Sequence, residues 1–188
     1  PLENADIRID SGIVAYARSF AMWDRSAKLD IVAPHASLSG SAEVAGQPRE
    51  RAVSGWADPR LRVSINLLGA PAMSFAEIAN YRQDLIVGLS LQVWAPLGRY
   101  DSGKVVNLGA NRWAIKPELG VSKAIGRWTV EFAAAAAFYA DNHEYLIDRT
   151  REQDPIYSAQ GCVIYGFARG VWIAVGGTYY SGGRTTVD

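Results

Sequence analysis

The sequence predicts an all-β fold, an antiparallel up-and-down transmembrane β-barrel, on three observations. Hydrophobicity alternates with period two through successive segments, as it does where neighbouring side chains of a strand point to opposite faces. Short and long connections alternate between those segments. No apolar run approaches the ~20 residues that a membrane-spanning helix needs; the longest candidate, Phe132 to Tyr139, is short and Ala-rich. The 188 residues read as a single barrel domain, 1–188. A formal net charge of zero gives no electrostatic footprint for nucleic acid. Six Trp and nine Tyr are candidates for the aromatic girdles of a membrane interface.

Two early strands, about Ile7 to Trp23 and Ala27 to Leu38, have faces that switch midway, which predicts bulges near Ser11-Gly12 and Pro34. In Arg60 to Leu67, Leu61, Val63, Ile65 and Leu67 oppose Arg60, Arg62, Ser64 and Asn66. In Leu85 to Trp94, Leu85, Val87, Leu89, Leu91 and Val93 oppose Ile86, Gly88, Ser90, Gln92 and Trp94. Ile115 to Ser122 repeats the pattern, with Lys116, Glu118, Gly120 and Ser122 on the polar side. Trp128 to Asp141, Tyr157 to Phe167 and Val171 to Tyr180 complete the set of about eight strands.

Asp24-Arg25-Ser26, Gly126-Arg127 and Arg169-Gly170 read as tight turns. Long polar loops are expected at Gly40 to Gly55, Gly98 to Arg112 and Asn142 to Pro155. Outer-membrane barrels have short periplasmic turns and longer extracellular loops, so the alternation places this chain in a bacterial outer membrane. Gly69 to Asp84 breaks the pattern and predicts a small rim helix, with Ser74 as N-cap and Glu77 completing a capping box. The chain opens on Pro-Leu-Glu-Asn, without a basic start or apolar run, and ends in what reads as the start of another long loop. A fragment lacking strands at both ends is therefore expected.

The polar faces carry the candidate site. Arg60, Arg62, Asn66, Gln92, Lys116, Glu118, Glu131 and Gln160 are expected to line the lumen, because Arg or Lys on the lipid face would cost roughly 2–4 kcal/mol at mid-depth. Two readings stay open: a structural ladder of ion pairs filling a narrow lumen, or a polar lining that selects solutes. Trp56, Trp94, Trp113, Trp128, Tyr157, Phe167, Trp172 and Tyr179 lie near strand ends and suit an interfacial girdle. Trp94, Trp172 and Tyr180 face inward and are additional lumen-lining candidates, forming an aromatic path for a ring solute. The charged loop Asp141 to Asp154 is a solvated tip or an inward-folded constriction.

Enzymatic chemistry finds little support. His35 and His143 are far apart, and nothing sets a base beside a nucleophile. Cys162 is the only cysteine and reads as a small strand residue. His143 with Asp141 and Glu144 reads as a solvated cluster rather than a metal site. No cofactor and no metal is expected.

Several segments carry a family resemblance. They include Asp58-Pro59-Arg60-Leu61-Arg62-Val63-Ser64-Ile65-Asn66-Leu67-Leu68-Gly69-Ala70-Pro71, Tyr81-Arg82-Gln83-Asp84 and Ala95-Pro96-Leu97-Gly98-Arg99-Tyr100-Asp101. Asn107 to Trp113, Lys116 to Gly120, Thr150 to Pro155 and Tyr179 to Arg184 follow. Together they resemble the phenol-degradation meta-pathway outer-membrane proteins, transporter-like barrels of Gram-negative bacteria, over nearly the whole chain. The resemblance implies uptake of hydrophobic aromatics. It also implies one strand before this chain and about three after it, or ~12 in the parent, an even number as in bacterial barrels.

The expected function is a pore or transporter for passive uptake of small, including aromatic, solutes, with outer-membrane lipid as the other partner. The alternatives are a plugged structural or adhesive barrel, a soluble β-sandwich or lipid-binding barrel, and, more weakly, a barrel enzyme such as a lipid hydrolase. The soluble forms predict the reverse orientation, apolar inside and polar outside.

Overall fold

The computed structural model describes residues 2–44, 46–73, 81, 83–168 and 170–188. The main sheet is antiparallel and nine-stranded. Its strands are β1 (Leu2–Met22), β2 (Arg25–Val44), β3 (Gln47–Trp56), β4 (Arg60–Leu68), β5 (Leu85–Trp94), β6 (Ala114–Ile125), β7 (Trp128–Tyr139), β10 (Ile156–Ala168) and β11 (Val171–Gly182). The order is β1-β2-β4-β5-β6-β7-β10-β11, with β3 paired to the outer part of β2. A separate small sheet joins β8 (Asn142–Tyr145), β9 (Arg149–Gln153) and β12 (Thr185–Val187) in the order β12-β9-β8.

Sequential strands pair as an up-and-down meander must, and the eight-strand path curls into a half-barrel. Five of its strands, β4 to β7 and β10, share one concave groove. β1 and β11 are its edges among the described residues. The strand bounds follow the alternating segments closely, and β5 coincides with its expected range.

The first hairpin corrects the expected bulges. The β1–β2 register runs unbroken through Ser11↔Ala36, Gly12↔His35 and Ile13↔Pro34, and shifts only between Glu3 and Asp6. The change of pattern midway has another cause. β2 pairs with β4 from Ala27 to Val32 and with β3 from His35 to Val44. Pro34, which has no N–H to donate, sits at the handover, where its carbonyl accepts from the Ala57 N–H at 2.9 Å. At 21 residues, β1 extends ~70 Å, while ~9–11 residues cross a bilayer. The outer half of the hairpin therefore stands beyond the membrane zone.

That extension also corrects the loop expected at Gly40 to Gly55, most of which is the end of β2 plus β3. Asn142 to Pro155 likewise contains the β8–β9 hairpin, and the tail 185–187 returns as β12 against β9. Gly98 to Arg112 has no strand, as expected. The helix expected at Ser74 to Glu77 lies outside the described residues, as does Arg169 of one expected turn.

Burial is inverted relative to a soluble protein. The buried apolar residues among those described are Ala27, Val53, Ala70, Ala114 and Ala137, all small, while Ser90, Gln92, Arg112 and Asn142 are buried polar ones. Large apolar side chains such as Leu89, Leu119, Phe132, Val163 and Ile173 stand exposed on the convex face. An apolar surface this extensive marks contact with another apolar phase. The soluble alternatives required apolar residues inside, and this orientation excludes them. Two convex-side cations lie toward the turn end of their strands: Arg18, opposite Leu29, and Lys123, which bonds Asp84. From there a long side chain reaches the interface.

Candidate functional site

The register lines up the polar residues in transverse rungs. One runs Asp30–Arg62–Gln92–Lys116 across β2, β4, β5 and β6. The next runs Lys28–Ser64–Ser90–Glu118 and continues into Ala135 and Ser158. A third is Asn66–Gly88–Gly120–Ala133–Gln160. Directly opposed residues of antiparallel strands share a face, so these side chains converge on the concave side.

Their chemistry is mixed in sign. Arg62 Nη2 donates to Glu118 Oε1 at 2.9 Å, spanning from β4 to β6 over β5. Lys116 Nζ lies 3.1 Å from the other Glu118 oxygen. Two cations thus share one carboxylate. The bridge passes over β5, where Ser90 and Gln92 are only 4% and 5% exposed. Toward the turn end, Gln83 donates to Ser122 at 2.6 Å and Ser122 donates to Glu131 at 3.1 Å. Lys28 and Asp30 pair at 2.7 Å.

All of Arg60, Arg62, Asn66, Gln92, Lys116, Glu118, Glu131 and Gln160 line a single groove of about 590 Å³. The sequence reading omitted the small residues that share it: Ser64, Gly88, Ser90, Gly120, Ser122, Ala133 and Cys162. Their signal was available, since they occupy the same parity along the same strands. The wall is also unequal, with charges on β4 to β6 and mostly small side chains on the inner face of β7 and β10.

The three aromatic candidates share the concave side but are spread along the sheet. Trp94, Trp172 and Tyr180 have the inward parity, but none lines the groove. Trp94 sits at the loop end of β5 in the rung Arg60–Trp94–Ala114–Tyr139. Trp172 and Tyr180 lie on the edge strand β11, both about two-thirds exposed. Strand order separates them, because β6, β7 and β10 lie between β5 and β11. The girdle residues fare differently. Trp128 and Phe167 cluster on the convex side near the turn end around Tyr165, which the girdle reading did not include, with successive ring centroids 4.6 and 4.9 Å apart. Tyr157 and Tyr179 are exposed on that side toward the loop end.

Above the loop end, the connections form an ordered layer held by two polar hubs. Asp58 accepts from the Gly98 N–H at 2.8 Å and the Ala110 N–H at 2.7 Å, tying both ends of the 95–113 loop to the start of β4. Gly98 and Gly109 pack so tightly there that a Cβ on either would fall within 3 Å of Asp58. Asn142, 1% exposed, is the second hub. It donates to the Tyr100 hydroxyl and the Ala110 carbonyl, and accepts from Asn111 and the Glu144 N–H. Asn142→Ala removes these four bonds; Tyr100 and Asn111 keep Glu144 as a partner, while the Ala110 carbonyl and the Glu144 N–H lose theirs, at about 1–3 kcal/mol each where they stay dry. Limited proteolysis should then cut within 98–112 at least tenfold faster, while the heat-modifiable gel mobility of the folded barrel persists.

Arg112 stacks over the Tyr139 ring at 4.7 Å and its Nη2 bonds Gln153. Burial and the neighbouring Arg151 pull its guanidinium below its ordinary pKa, against the opposing pull of Tyr139 and Asp141. Of the remaining candidates, His35 packs edge-on against Trp56 at 5.3 Å and His143 lies 3.4 Å from Thr150. Cys162 stands opposite Glu131 on the groove wall.

No curated protein matches the chain. Among solved structures, an outer membrane channel from Pseudomonas putida F1 is similar, with 24% identity and a TM-score of 0.70. The likeness covers 97% of this chain and 64% of that one, so this chain spans just under two thirds of the channel's length. At that identity the likeness establishes the fold alone, the curled antiparallel sheet of a channel barrel. The family model described as "Putative MetA-pathway of phenol degradation" matches residues 3–187, and the chain belongs to that family.

Proposed function

We propose that this chain forms part of the wall of an outer-membrane channel that admits small solutes, aromatic ones among them, by passive diffusion. The observation that carries the reading is the segregation of the two sheet faces. Exposed Leu, Val, Ile and Phe cover the convex side, and the Arg62–Glu118–Lys116 ladder occupies the concave side. A bilayer solvates the first and an aqueous lumen the second. Solute choice then follows from lumen width and the charges along the wall, with no covalent step. Membership of a phenol-degradation family and the likeness to an outer membrane channel support the same reading.

The test is single-channel conductance of the full-length protein in a planar bilayer, with and without a small aromatic. Discrete openings that the aromatic blocks are the expected result. A second reading, a barrel closed at its mouth that presents its loops, draws on the hydrogen-bonded loop layer around Asp58 and Asn142. A protein that inserts but never conducts would favour it and overturn the channel.

A further inference from the structure

The outward face of the first hairpin changes character part-way along. Val14 and Tyr16 on β1, opposite Ala33 and Ile31 on β2, keep it apolar where it meets lipid. The rung Gly12–His35–Trp56 ends that stretch. His35 and Trp56 pack edge-on there and Trp56 is half exposed, as suits an aromatic at the membrane–water interface. The next two rungs outward are polar: Asp10–Ser37–Ser54, then Arg8–Ser39–Ala52.

Those two rungs floor a hollow of about 500 Å³ on the outward face. Arg99, which donates to the Ser54 carbonyl at 2.9 Å, closes it at the edge of β3 away from β2. Leu38 and Val53, whose side chains have the opposite parity, complete the lining. The polar groups are of both kinds. Serine hydroxyls donate and accept, Asp10 accepts, and Arg8 and Arg99 donate. Asp10 takes Arg8 Nε at 3.1 Å, but both side chains are more than two-thirds exposed, so the pair is weak and open to another partner. Ser37 and Ser54 share one hydrogen bond at 2.7 Å, which leaves each hydroxyl further capacity. The rung Asp6–Ser41–Glu50 next outward is acidic, so this face carries no excess of positive charge. A polyhydroxyl ligand, rather than a simple anion, matches such a wall.

Position names its source. Successive rungs on one face are ~7 Å apart, and the head-group layer takes up ~5–8 Å on each side of a bilayer. The hollow therefore begins at head-group level and reaches just beyond it, on the loop side, which faces outward in an outer membrane. The outer leaflet of that membrane is built of lipopolysaccharide, whose sugars begin where its acyl chains end. One sheet face meets both parts: Val14, Tyr16 and Ile31 are exposed to the chains, and the serine-lined hollow lies directly above them.

We propose that this hollow docks the core oligosaccharide of outer-leaflet lipopolysaccharide, with sugar hydroxyls bonding Ser37, Ser39, Asp10 and Arg8. The docking rests on the outer-membrane location and not on the channel reading.

Native mass spectrometry of the folded full-length protein, titrated in detergent with rough lipopolysaccharide that carries the core sugars, tests the site. The glycolipid should bind at least tenfold more tightly than cardiolipin, which offers acyl chains and phosphates without sugars. Ser39→Trp fills the hollow and should weaken lipopolysaccharide at least tenfold, whereas Ser39→Thr, which keeps the hydroxyl, should bind as the parent does. The comparison of the two lipids needs no variant, so it stands if Ser39→Trp fails to fold. Equal binding of cardiolipin, or a Ser39→Trp protein that binds as well as the parent, would overturn the site. Free core oligosaccharide that binds as tightly as the whole glycolipid would make the hollow a site for soluble sugars and overturn the lipid docking. A dimer that forms without lipopolysaccharide and is lost in Ser39→Trp would overturn it too, by giving the hollow to a second copy.

Discussion

Leu89→Arg is expected to lower the stability of the folded, inserted protein in a bilayer by about 2–4 kcal/mol. Leu89 lies midway along β5 on the convex side, opposite Ile65 and Leu119, and is 44% exposed. An Arg there faces hydrocarbon at mid-depth, a substitution that costs about 2–4 kcal/mol in outer-membrane barrels. A loss of that size is a large fraction of the ~5–15 kcal/mol by which a domain is stable. Urea titration in lipid vesicles reads the loss directly. Gln160→Arg is the matched control, since Gln160 lines the lumen groove and water solvates the new charge. It should shift the midpoint by less than about 1 kcal/mol. Equal losses at the two positions would mean that the faces have been assigned backwards.

The second large effect is on ion selectivity. Glu118 holds Arg62 at 2.9 Å and Lys116 at 3.1 Å. Glu118→Gln keeps the shape of the side chain and removes the one negative charge between two positive ones. The wall then gains a net positive charge where field lines are focused by its low-dielectric surround. The reversal potential in a salt gradient should move toward the anion's equilibrium potential, and the shift should shrink as ionic strength rises. The pair is partly exposed, so only about 1–2 kcal/mol of stability should be lost with it. An unchanged reversal potential would place Glu118 away from the conduction path and return the ladder to a purely structural role.

How much of this was legible follows from what each segment packs against. β4, β5 and β6 have the apolar convex face on one side and the polar concave groove on the other, so parity alone assigned the side chains in Arg60 to Asn66 and Leu85 to Trp94 to their faces, up to the register shift between Asn66 and Leu68. The first hairpin was misread because its surroundings change along its length. Past Pro34, β2 leaves β4 for β3, and the alternation no longer reports the same two environments. Its shift mimicked a bulge that the register does not contain.

The loop layer left almost no local trace. Arg112 and Arg151 are separated by a full strand pair in sequence, and only the β8–β9 hairpin folding over the mouth makes them neighbours. Asn142 reads in isolation as the start of a polar loop, yet it is nearly inaccessible, because four groups from the 95–113 loop and β8 close around it. Trp94, Trp172 and Tyr180 show a different limit of local reading. Parity put them on one face correctly, but lateral strand order set their distance apart, and period two carries no information about lateral order.

The sequence by itself therefore determined the strand class and the two faces, because each depends on one residue and its neighbours two positions away; the family was legible separately, in longer segments such as Asp58 to Pro71. Only the tertiary structure decided which polar residues pair across strands, that the outer hairpin stands clear of the membrane zone, and that its outward face carries a serine-lined hollow. Those features depend on contacts between residues far apart in the chain, which register and curvature bring together and local alternation does not encode.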